Sequence, residues 1–190
     1  MTWEEIVARA APAWQMLNED ERERVWTEFD TRFGFRASMD PEDWPGIREP
    51  TASRTYAIGH VFGEAQRYDR LTIDLSNKLR RALQACVSPT TAVLVLEWQG
   101  PAYRFWPHEP FEYAEEDAWP VPVLPNGDYY IFLAEDFSFG VVGHPWEHTM
   151  CVFGAALLAA IDEEMPELFG APVRVGGHDA APDAGPARNG

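Results

Sequence analysis

Apolar residues along the chain change their spacing several times, and each change marks an element. Val25, Trp26, Phe29 and Phe33 recur every three or four positions, which stacks side chains on one face of an α-helix. Asn18 precedes this run with Glu21 three residues on, so the pattern predicts a capped helix from Asn18 to about Phe33. Asp20 and Glu21 suit its positive end. An earlier pair, Thr2-x-x-Glu5, starts a helix at Trp3 with Ile6, Val7 and Ala10 on its apolar face, and Pro12 ends it. From about Gly63 to Val87 the residues Leu71, Leu75, Leu79, Leu83 and Cys86 again follow helical spacing. A short helix follows Gly154, from Ala155 to about Met165.

Between these helices the spacing is that of strands. Thr51 to Ile58 is rich in β-formers. Ala92 to Leu96 is a continuous apolar run, expected of an interior strand buried on both faces, and Tyr103 to Trp106 follows after Gln99-Gly100-Pro101. Tyr129 to Ala134, Phe137 to Val142 and His148 to Phe153 are three more. Asn126-Gly127, between apolar runs, predicts a two-residue hairpin turn. Residues 34–50 and 107–120 read as irregular, the latter as a surface excursion. The expected fold is α+β, a mainly antiparallel sheet of about six strands packed with about four helices in one domain over residues 1–176. Residues 177–190, rich in Gly, Ala, Pro and Asp, are expected to be a disordered tail.

Composition fits this picture. The 190 residues are 46% apolar and include eight Trp, enough for a substantial core. No apolar stretch is long enough to cross a membrane, and Glu4 and Glu5 stand where a secretory signal carries positive charge. Cys86 and Cys151 are unpaired in sequence and lie among apolar residues, as expected of reduced core thiols in a cytoplasmic protein.

Charge sharpens the reading. The net charge is −16, which disfavours nucleic acid and anionic membrane surfaces and, beyond solubility, suits a basic protein partner. No Lys or Arg lies between Arg104 and Arg174, while 13 carboxylates do, among them Glu109, Glu112, Glu115, Glu116 and Asp117. This run is the expected protein contact. By contrast Arg67, Arg70, Lys78, Arg80 and Arg81 crowd the long helix, so the chain is electrically polarised.

Candidate chemistry centres on His144-Pro145-Trp146-Glu147-His148, with Glu135 and Asp136 nearby. A carboxylate beside an imidazole can set up a general base, and two His with a carboxylate can hold a metal. Pro145 and the strand context forbid the helical zinc motif, so no metal is expected, and no glycine-rich phosphate loop calls for a nucleotide cofactor. Ser138 lacks the Gly-x-Ser-x-Gly elbow of a nucleophile. Arg36 and Arg48 are candidates either to pair with Glu147 or Glu49 or to bind an anion in a cleft, with Trp146 as a further ligand contact.

Several pieces together resemble a known family. They are Trp26-x-x-Phe29, Arg32-Phe33-x-Phe35-Arg36, Pro45-Gly46-Ile47-Arg48-Glu49-Pro50, the Asn126-Gly127-Asp128 turn, Tyr129 to Asp136, Phe139-Gly140, Gly143 to Glu147 and Cys151 to Gly154. In this order they resemble the bacterial domain of unknown function 2716, from about Val25 to Phe169. The resemblance implies a single-domain cytosolic bacterial protein and implies no activity. The leading expectation is an acidic protein-binding module of immunity or regulatory type. The alternative is a small enzyme or ligand-binding protein using the His144–His148 turn with Glu135 or Asp136.

Overall fold

The computed structural model describes residues 5, 8, 10–63, 65–111 and 119–180, with only the backbone described for residues 65–69. One antiparallel sheet forms the middle layer. Its strands are β1 (Trp14–Met16), β2 (Ser53–Ala57), β3 (Val93–Glu97), β4 (Ala102–Phe105), β5 (Tyr130–Ala134), β6 (Gly140–His144), β7 (Thr149–Phe153), β8 (Arg174–Val175) and β9 (His178–Asp179). The spatial order is β1-β4-β3-β5-β6-β7-β2-β8-β9. Helix α1 (Glu19–Phe33) covers one face, while α2 (Ala65–Cys86), α3 (Ala155–Ile161) and α4 (Met165–Phe169) cover the other.

The fold class is therefore α+β with four helices, but the sheet has nine strands among the described residues where about six were expected. The additional β1, β8 and β9 lie at the two margins of the sheet and have three, two and two residues, too short for alternation to register. The turn between β8 and β9 is Gly176-Gly177, so His178 and Asp179 belong to a hairpin, not to a tail beginning at Gly177. Residues 181–190 lie outside the described residues, as does most of the segment expected to start a helix at Trp3. Glu5, Ala8 and Ala10 are helical.

Local chemistry explains α1. Glu21 N–H donates to Asn18 Oδ1 at 2.9 Å and Asn18 N–H to Glu21 Oε2 at 3.2 Å, the reciprocal capping box. Gly34, at φ +59°, closes the last turn by donating its N–H to Asp30 O. Phe29 and Phe33 then pack on Leu94, Leu96, Ile131, Leu133 and Phe153. Burying each phenyl contributes about 1.5–3 kcal/mol. On the opposite face, Leu75, Leu79 and Leu83 of α2 meet Val93, Val95, Phe132 and Val141. Val93 and Val95 sit fully buried between β4 and β5, as the continuous apolar run requires.

Three local expectations are corrected. Asn126-Gly127 makes no two-residue hairpin: the segment ahead of it pairs with no strand, because Pro120, Pro122 and Pro125 lack the N–H groups of a ladder. Instead Asn126 Oδ1 accepts from Tyr130 Oη at 2.7 Å. Phe137 and His148 lie in turns with positive φ, so β6 begins at Gly140 and β7 at Thr149. The expected 155–165 helix is divided into α3 and α4, with Pro166 at the start of the second.

Candidate functional site

Residues alternate faces along a strand, so Val142 and His144 of β6 face α1 while Val141 faces α2. His144 is 2% exposed. Its Nδ1 accepts the Glu147 N–H at 3.1 Å, which leaves the proton on Nε2, 3.1 Å from Tyr129 Oη. Tyr129 Oη also accepts the Ser38 N–H at 3.2 Å. Gly46 permits this closure. At φ +73° its missing Cβ would come 2.9 Å from Arg36 O and 3.6 Å from His144 Nε2. Trp44 and Trp146 pack edge-on around the imidazole. Burial pulls the His144 pKa down to about 4, so the ring is neutral near pH 7.

Glu147 turns toward β8. Both its oxygens accept from Arg174, with Nη2 to Oε2 at 2.9 Å, and Oε2 also accepts from Thr149 Oγ1 at 2.7 Å. Arg174 also donates from Nε at 2.9 Å and from Nη2 at 2.8 Å to Glu49 Oε1, which accepts from Thr55 Oγ1 as well. The side chains of Glu49, Arg174 and Glu147 are 1%, 14% and 13% exposed. Glu49 Oε2 is buried with no hydrogen-bond partner among the described residues. Burial alone would raise the Glu147 pKa, but Arg174 and Thr149 outweigh it and hold the carboxyl below its ordinary value.

The other sequence candidates lie elsewhere. Glu135 and Asp136 occupy the β5–β6 turn, at the opposite end of β6 from His144. Five strand residues separate the turns by roughly 14 Å, so these carboxylates do not meet the imidazoles. Glu135 pairs with Arg104 at 3.2 Å. Asp136 accepts from Ser138 Oγ and N–H, which holds its pKa low. Arg36 pairs with Asp43 at 3.0 Å, and Arg48 donates to Thr31 O and Arg32 O at the end of α1. Neither reaches Glu49 or Glu147, whose partner is Arg174. Sequence reasoning did not single out Arg174, although its isolation after 69 residues without Lys or Arg was a usable signal. His148 is exposed and packs on Phe62 at 5.1 Å. Glu109 is exposed; Glu112, Glu115, Glu116 and Asp117 lie outside the described residues. Three cations of α2 are engaged: Lys78 with Asp74, Arg81 with Glu164, and Arg80 with the Pro107 and Glu109 carbonyls.

A groove of about 700 Å³ opens on the outer side of α1. Glu19, Glu23, Trp26, Thr27 and Asp30 recur at helical spacing along one stripe, and Arg22, Phe35, Ala37 and Trp98 complete the lining. The β3–β4 turn is docked here: Arg22 Nε donates to Gly100 O at 3.2 Å, and the Trp98 N–H to Tyr129 O at 3.2 Å. Rings run on continuously from the groove to the His144 turn. Trp26 lies 5.4 Å from Phe35, Phe35 5.1 Å from Tyr129, Tyr129 6.1 Å from Trp98, and Trp98 6.4 Å from Trp146. Trp98 is 36% exposed. Glu19 pairs with Arg22 at 3.5 Å, whereas Glu23 and Asp30 have no ion-pair partner among the described residues. The sequence reading missed this groove, because Trp98 joins α1 only through the fold. Among the described residues no three His, Cys, Asp or Glu side chains are grouped to hold a metal ion. No helix among them is long and apolar enough to cross a membrane.

No solved structure matches the chain. It is 32% identical over 164 residues to the uncharacterized protein YxiI of Bacillus subtilis (strain 168), covering 82% of this chain and 96% of that protein. Residues 16–158 match the family described as protein of unknown function DUF2716. The pieces that carry the resemblance, from Trp26 and Phe35 to Tyr129, His144 and Glu147, are those assembled on the α1 side of the sheet, and the chain belongs to the DUF2716 family.

Proposed function

We propose that this chain is a cytoplasmic protein-binding module, of regulatory or immunity type, whose acidic surface engages a basic protein partner. The observation that carries the reading is the outer face of α1. There Arg22 pairs with Glu19, while Glu23 and Asp30 stand beside the half-buried Trp26 and the exposed Trp98 with no ion-pair partner among the described residues. Charge left unpaired at a surface costs little in water, and it steers an oppositely charged partner. The net charge of −16 and the carboxylate run from Glu109 to Asp117 support the same polarity of partner. The arrangement of His144 lends the enzyme alternative no support, since its nitrogens are occupied by Tyr129 and Glu147 and its ring is sealed by Trp44 and Trp146.

The test is association kinetics with a basic protein recovered by affinity capture. Association should slow markedly as salt rises, because screening shortens the reach of the field to roughly 8 Å near physiological ionic strength. Replacing Glu112, Glu115 and Glu116 by Gln should reproduce that loss at low salt. An association rate indifferent to both changes would reduce the acidity to a solubility device.

A further inference from the structure

We propose that the groove beside α1 takes an arginine-bearing extended segment of a protein partner, with the guanidinium against the Trp98 ring and its charge met by Glu23 and Asp30. This rests on the reading of the chain as a binder of a basic protein and names the chemistry of the contact. Two observations select the occupant. The first is charge: Arg22 also lines the groove but pairs with Glu19, whereas Glu23 and Asp30 sit on one helical stripe, seven residues apart, with no ion-pair partner among the described residues, so the lining keeps a net negative charge that suits a cation. The second is ring geometry. Trp98 is held by Tyr129 and Trp146, each edge-on to it at 6.1 and 6.4 Å, while 36% of the residue stays open. A planar, weakly hydrated guanidinium stacks on such a face, whereas an ammonium keeps its water.

Charge also decides against other occupants. A second copy carries −16 and is repelled. Nucleic acid and anionic lipid are repelled likewise. A polyamine matches the charge but offers no planar cation.

The experiment titrates the full-length protein with a short capped peptide carrying two arginines, with its lysine and citrulline counterparts, and with spermine. Tryptophan fluorescence and calorimetry are the readouts. The arginine peptide should bind tightest and the citrulline peptide weakest. Trp98→Ala should weaken the arginine peptide by about 2-fold to 30-fold, the range of a cation on an aromatic face. Glu23→Gln with Asp30→Asn should weaken it further and flatten its salt dependence. Circular dichroism confirms that each variant is folded. Equal binding of arginine and citrulline peptides, or unchanged binding by folded Trp98→Ala, overturns the proposal. Tighter binding of spermine than of the arginine peptide overturns the peptide occupant. Salt-sensitive binding of a basic protein that survives Trp98→Ala but is lost when Glu112, Glu115 and Glu116 become Gln overturns the groove and leaves the broader reading intact. If no basic probe binds in a salt-sensitive way, both fall.

Discussion

Glu147 and Glu23 are both glutamates on the α1 side of the sheet with tryptophan and arginine close by, yet their surroundings are opposite. Glu147 is 13% exposed, and Arg174 and Thr149 hold both of its oxygens. Glu23 faces solvent on the stripe of α1, with no ion-pair partner among the described residues. Water accounts for the difference. A carboxylate taken out of water destabilises the fold unless hydrogen bonds replace its hydration, and at Glu147 Arg174 and Thr149 supply them to both oxygens. A carboxylate left in water needs no partner and stays open to one. The same residue types therefore make a structural clamp at one end of the aromatic run and a receptive surface at the other.

The largest effect should come from breaking the clamp at its centre. Arg174→Ala strands Glu49 and Glu147 together, and losing the cation they share in a buried ionic cluster costs about 3–5 kcal/mol. Urea denaturation reads this directly. A midpoint unchanged from the parent would mean that the clamp and the groove do not differ as described.

Glu147→Ala should cost less, about 1–3 kcal/mol, because Arg174 keeps Glu49 while one hydrogen-bonded acceptor is removed. Thermal denaturation of Glu147→Ala beside Thr149→Val separates the loss of the ion pair from the loss of the hydroxyl contact.

Acid should loosen the same end of the molecule. His144 titrates at about 4 in the fold against 6.5 unfolded, so between those values the unfolded chain binds the additional proton. Stability is therefore complete above about pH 6.5 and falls as the pH drops toward 4. Glu147, with its folded pKa lowered, adds a loss that begins as the pH falls through its ordinary range and is complete below its folded value. Melting temperature against pH should show this slope, and His144→Gln should flatten it between 6.5 and 4. An unaltered slope in that variant would assign the acid sensitivity to other groups.

At the groove the stability effects should be the smallest. Glu23→Gln should move stability by no more than about 0.5 kcal/mol, as for surface substitutions away from special features. Arg36→Ala, which removes an exposed pair with Asp43, should cost no more than about 1 kcal/mol. A drop of several kcal/mol from either one, in the same urea titration, would erase the contrast between the two regions.

How much of this was legible in the chain follows the range of the interactions. Asn18 and Glu21 cap α1 across three residues, and Val25, Trp26, Phe29 and Phe33 state its buried face within four turns, so the helix was readable end to end. The apolar run ending at Leu96 declares an interior strand because both faces of β3 are covered. Other features needed the fold. The three shortest strands exist only because a neighbour supplies the hydrogen bonds. The Asn126-Gly127 signal was real as a bend, but the prolines ahead of it removed the strand it was expected to join.

The site divides in the same way. The His144–Glu147 segment was visible as a cluster of reactive types because its members are adjacent in sequence. Its chemistry was not visible, because the pairing of β6 with β7 and the closure by Gly46 bury the imidazole and neutralise it. Glu49 and Arg174 lie 125 residues apart, and Trp98 is brought beside α1 through the Arg22–Gly100 contact across 78 residues. By itself the sequence determined the α+β class, the principal elements and the excess of negative charge, since each is set by local spacing or by a sum over residues. Only the tertiary structure decided which charges are paired and which face water. That choice depends on desolvation, and desolvation is fixed by what the rest of the chain packs against each group.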